Sequence, residues 1–107
     1  MKRIGKNTNE TGEAVTNVVS VDSTTTATLL PALVFTDRPY MEVNVTNDGN
    51  KALWVKKQAS SVDNDKKGVR VIPGETAPII KQGEVYRGEI SAIFDSGGSR
   101  DVIVEWF

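Results

Sequence analysis

The sequence predicts an all-β protein: a small antiparallel β-sandwich, or a jelly-roll-like barrel, of about seven or eight strands with an extended N-terminal arm. Two observations predict it. Short runs rich in valine, isoleucine and threonine alternate apolar and polar residues and are separated by turn signals, and no stretch repeats its apolar residues at helical spacing. At 107 residues the chain is long enough for one core and too short for two.

Residues 1–13 are polar, contain Gly5 and Gly12 and follow neither period. They read as an arm, either frayed or ordered by a partner. Lys2, Arg3 and Lys6 make its tip basic and are its candidate anchoring residues. Residues 14–107 form the sandwich. In residues 14–21, Val15, Val19 and Val21 share a parity that Val18 does not, which predicts a strand of open register. A turn or edge at Asp22-Ser-Thr-Thr-Thr26 leads to a strand over residues 27–30, ended or confined to an edge by Pro31, which has no N–H to donate. Asp37-Arg-Pro39 marks a loop.

Residues 41–55 carry the strongest pattern. Met41, Val43 and Val45 alternate with Glu42, Asn44 and Thr46, and Leu53 and Val55 repeat the apolar set. Asn47-Asp48-Gly49-Asn50 between them tolerates positive φ, so a tight hairpin is expected. Residues 56–68 are polar and read as a long contact loop or a variable tip. Residues 69–71 form a short strand before the Pro73-Gly74 turn, and residues 77–81 another before Gln82-Gly83. Residues 85–94 read as one longer strand, and residues 101–107 close a last hairpin across Asp95-Ser-Gly-Gly-Ser99.

Several of these strands are apolar on both faces. Ile103 and Phe107 oppose Val102, Val104 and Trp106; Ile93 opposes Ile90, Ala92 and Phe94; Trp54 opposes Leu53 and Val55. A sheet with one solvated face is polar on that side, so both faces are covered, by a second sheet, by a loop of the same chain or by another subunit. Trp54, Ile93, Ile103 and Phe107 are therefore the candidate subunit-interface residues. Trp54, Ile103 and Phe107 would make one apolar patch if they come together.

A net charge of −1 provides no field to draw nucleic acid or an anionic membrane, and neither is expected as a partner. With no cysteine the fold needs no disulfides, and with no histidine the commonest general base and the commonest neutral metal ligand are both missing. The N-terminus lacks the apolar stretch of a secretory signal, and the longest apolar run, Ala32-Leu-Val-Phe35, is far short of a membrane span. Synthesis in a cytoplasm without export is expected. Asp63-Asn-Asp-Lys-Lys-Gly68 begins like a calcium loop, but Lys67 stands where an oxygen ligand belongs. A charged, solvated loop is expected instead, with Asp63, Asp65, Lys66 and Lys67 as a possible partner loop. No catalytic residue, metal or cofactor is assigned. Tyr40, Trp54 and Tyr86 are the aromatics that a sugar- or base-stacking module would use.

Leu29-Leu-Pro-Ala32, Met41-Glu-Val-Asn-Val-Thr-Asn-Asp-Gly49 and Ala52-Leu-Trp-Val55 occur in that order, followed by Val71-Ile-Pro-Gly-Glu75, Gly83-Glu-Val-Tyr86 and Val102-Ile-Val-Glu-Trp106. This pattern resembles small β-sandwich structural proteins of tailed bacteriophages, of the capsid decoration, cement or head-fibre-base type. The resemblance spans about residues 26–106 and rests mostly on turn and core positions. It departs from the family pattern in residues 1–25 and in the charged loop 56–68. It implies a non-enzymatic virion protein, made in the host cytoplasm, that binds the major capsid protein as a homo-oligomer, with a trimer favoured. The alternatives it implies are a receptor- or glycan-binding module of a tail or fibre and a head-to-tail connector piece.

Overall fold

The computed structural model describes residues 13–107. Among them are eight strands: β1 Val15–Val21, β2 Ala27–Leu30, β3 Val43–Asn47, β4 Leu53–Lys56, β5 Val69–Val71, β6 Thr76–Ile80, β7 Ile90–Phe94 and β8 Arg100–Trp106. All pairings are antiparallel. β1 pairs with β8, β2 with β7, β3 with β6 and β4 with β5, like the rungs of one long ribbon whose apex lies between β4 and β5. The ribbon is rolled so that β3 also pairs with β8 and β4 with β7. The result is two four-stranded sheets, β1-β8-β3-β6 and β2-β7-β4-β5, which is the jelly-roll arrangement of a β-sandwich.

Strand existence follows the alternation in the sequence. β3 is buried at Val43, Val45 and Asn47 and half-buried between them, and β8 is buried at Val102, Val104 and Trp106. These residues face Leu53, Val55, Val71, Ile90, Ala92 and Phe94 of the other sheet to make one core. Tyr40, outside the strands, fills one end of it, edge-on to Trp106 with ring centroids 5.6 Å apart. Its hydroxyl donates to the Pro31 carbonyl at 2.7 Å, which satisfies the one polar atom it carries inside.

The expected hairpin over residues 41–55 is not formed. β3 and β4 lie in different sheets, and the segment between them is an arch that crosses the sandwich. None of Asn47, Asp48 and Asn50 adopts positive φ, and Gly49 does not either. The local turn signal loses to Asn47, which is buried and holds the corner from inside. Its amide nitrogen donates to the carbonyls of Lys51 at 2.7 Å and Val71 at 2.9 Å, while its side-chain oxygen accepts from Gly49 N–H at 2.9 Å. Its backbone bonds Glu75 and Gly74 across the β5–β6 turn. Gly49 is needed for space rather than for φ, because a Cβ there would press on Arg100 Cδ at 2.6 Å.

The expected last hairpin is likewise an arch, with β7 in one sheet and β8 in the other. The strand expected over residues 85–94 begins only at Ile90; before it, Tyr86 makes a single bridge to Tyr40. Here the chain must leave β6 in one sheet and enter the other, and Gly88, which lies so close to the Tyr86 ring that a Cβ would not fit, lets it turn.

Candidate functional site

The outer faces and ends of the roll are the surfaces this chain presents, and the jelly-roll topology decides which residues share them. Trp54 and Ile93 are cross-strand neighbours on the outer face of β2-β7-β4-β5. Ile103 and Phe107 lie on the outer face of β1-β8-β3-β6, where Phe107 extends the ladder by exchanging backbone hydrogen bonds with Met41 and Glu42. The expected single patch of Trp54, Ile103 and Phe107 is therefore split between opposite sides of the sandwich. Parity shows that a residue points outward; only the sheet assignment shows which outside.

The cover over β7 is a loop of the same chain. Residues 57–68 leave β4 and fold back over this outer face: Ser91 Oγ donates to Gln58 O at 2.9 Å, Thr28 Oγ1 shares a hydrogen bond with Ser60 Oγ at 3.1 Å, and Thr26 Oγ1 donates to Asp63 O at 3.0 Å. Ile93, on that face, keeps no accessible surface. It is a core residue of this chain and is not available to a subunit interface, which corrects the expectation for it. Trp54 beside it is half-buried and donates from Nε1 to Asp95 Oδ1 at 3.3 Å.

Asp63 locks the loop. Its Oδ1 accepts from Lys56 Nζ at 2.7 Å and its Oδ2 from Lys67 Nζ at 2.8 Å; Gln58 Nε2 and the Asp65 N–H add to Oδ1. Hydrogen bonds from the Lys56 and Lys67 ammonium groups hold the Asp63 carboxyl well below the usual carboxylate range. With a lysine on each oxygen, the start of the calcium-like motif is occupied by ammonium groups, and among the described residues no group of three or more metal-ligating side chains comes together. Lys66 Nζ donates to Ser23 O at 3.1 Å, and Asp65 is exposed. The residues read as a partner loop thus turn largely toward their own chain.

Glu89 fastens the other end of the same loop, accepting from Ser60 N–H at 2.8 Å and Thr28 Oγ1 at 2.7 Å. Burial pushes its carboxyl up, but these hydrogen bonds outweigh it and the net shift is downward.

Among the described residues the most exposed large apolar side chain is elsewhere. Phe35 is 84% exposed, on the connection between β2 and β3. It is held out by a closed turn: Asp37 N–H donates to Val34 O at 2.9 Å, and Val34 N–H donates to Asp37 Oδ2 at 3.1 Å. That connection is tied to the β6–β7 connection by Leu33 N–H to Arg87 O at 2.7 Å and by the Tyr40–Tyr86 bridge. Val34 and Val85, also exposed, flank the same end of the roll. The sequence presents Phe35 only as the end of an apolar run too short for a membrane. The signal that finds it is the apolar pair Val34-Phe35 placed directly before the turn chemistry of Thr36-Asp37-Arg38-Pro39.

Tyr40 is buried and cannot present its ring to a sugar, and Tyr86 is half-buried with its hydroxyl donating to Glu89 O at 3.0 Å. Lys2, Arg3 and Lys6 lie outside the described residues. No protein-family model, no curated protein and no solved structure matches this chain.

Proposed function

We propose that the chain is a non-enzymatic virion structural protein of a tailed bacteriophage that decorates the head shell by binding the major capsid protein. The observation that carries the reading is Phe35, an aromatic side chain held out in solvent by a closed turn. Aromatic anchors that fill a partner's pocket supply most of the binding energy of a protein interface, and a turn already closed in the free protein loses little entropy on docking. The resemblance to small phage structural proteins supports the particle as the setting, and jelly rolls serve in viral capsid and lectin domains alike. The mechanism is mass action: a ligand that binds only the assembled shell stabilises the shell in proportion to its occupancy.

The test is co-sedimentation of the purified protein with shells of its own phage. Hundreds of copies per particle are expected. A ring of about six or twelve copies would make it a connector piece, and glycan binding without shell binding would make it a receptor module.

A further inference from the structure

Each sheet of the roll ends in two edge strands whose unpaired N–H and C=O groups can template another strand, and three of the four edges are blunted. β6 has Pro78 at its middle and a register shift against β3. β2 has a register shift and is overlain by the 57–68 loop, whose Asn64 Oδ1 takes the Thr26 N–H at 2.8 Å. β5 is three residues long. Among the described residues β1 has none of these devices. It pairs with β8 over seven residues without a shift, and Val-Thr-Asn-Val-Val-Ser-Val contains no proline, no glycine and no ionisable group. At its centre Val18 is 63% exposed, directly opposite Ile103, which is in turn opposite Thr46.

We infer that β1 is a self-association edge: two copies of this chain pair β1 against β1, antiparallel, into one eight-stranded sheet. A second copy fits because the strand is uncharged, so that two of them side by side bring no like charges together. The three blunted edges leave β1 without a good heterologous partner on the same molecule, and pairing β1 with itself closes at two copies instead of growing into a fibre. A two-fold axis normal to the sheet keeps outward residues against outward residues. With Val18 on the axis, Thr16 lies opposite Ser20 of the second copy, and the stripe Thr46, Ile103, Val18 continues through Val18, Ile103 and Thr46 of the other. This pairing is two-fold, unlike the trimer that the family resemblance implies, and it holds whether or not a capsid is the partner.

The test is sedimentation equilibrium of the full chain. The wild type is expected at twice the 11.6 kDa chain mass. Val18→Lys and Val18→Glu, each placing two like charges on the axis, are each expected to weaken the dimer at least about tenfold, and an equimolar mixture of the two to restore it. A wild type that stays at the monomer mass, or variants that dimerise as the wild type does, would overturn the inference. A second measurement does not depend on those variants folding. The chain has no cysteine, so Val18→Cys and Val62→Cys each add a lone thiol at sites of almost equal exposure, 63% and 62%. Under mild oxidation Val18→Cys is expected to cross-link much faster than Val62→Cys, and equal rates would contradict the pairing.

Discussion

Lys56 Nζ lies 2.7 Å from Asp63 Oδ1, and the lysine side chain that reaches it is only 4% exposed. The pair joins the last residue of β4 to the loop that covers the sheet. An ammonium group taken from water needs its carboxylate far more than the carboxylate, at the loop surface, needs the ammonium. Asp63→Ala is therefore expected to lower the melting temperature by several degrees and to raise hydrogen exchange across residues 57–67. Lys56→Met, which removes the charge and keeps the apolar stem, is expected to cost much less. Thermal melts of both variants check the order.

The same pair sets a pH dependence. The Asp63 carboxyl is held low in the folded protein and returns to about 3.9 in the unfolded chain. The unfolded state therefore binds the proton first, and the stabilisation is present above about pH 4 and is lost as pH falls through the folded value. Asp22, held low by the N–H groups of Thr25 and Thr24, acts in the same direction. Urea unfolding at a series of pH values is expected to give a flat profile from neutrality to about pH 5 and a decline below it, to which Glu89 also contributes, shallower in Asp63→Asn.

Asn47 makes a corner that size alone cannot make. Asn47→Ala strands the buried carbonyl of Val71 and the part-buried carbonyl of Lys51 and is expected to lose about 3 kcal/mol of stability. Asn47→Asp, of equal size, points a carboxylate at those carbonyls and is expected to lose at least as much. Denaturant unfolding of the two variants separates loss of volume from loss of donors.

Gly68 and Gly74 both have positive φ, +102° and +82°, but only Gly68 faces an obstacle, the Val55 carbonyl. Gly74 has open space around it. Gly68→Ala is expected to cost about 3 kcal/mol and Gly74→Ala about 1 kcal/mol. Equal losses would mean that the approach of residue 68 to β4 has no energetic consequence.

The eight strands are legible in the sequence because alternation is a local property that each strand carries in its own residues. Their pairing is not legible. Asn47-Asp48-Gly49-Asn50 looks like hairpin chemistry, and the decision between hairpin and arch rests on whether the Asn47 side chain meets Val71, 24 residues away. The double-faced apolar pattern of β7 signals correctly that something covers Ile93, while the identity of that cover depends on where a polar loop folds back. The exposure of Phe35 is not legible, because an apolar residue next to other apolar residues reads as core and its exposure comes from a turn made by Asp37.

The most direct measurement is a titration of wild-type protein and Phe35→Ser onto purified shells. The expected result is saturable binding by the wild type and an affinity at least about tenfold lower for Phe35→Ser, with an unchanged melting temperature. Phe35→Ser binding as tightly as the wild type would contradict docking through this end of the roll, and a wild type that ignores the shell would contradict decoration itself.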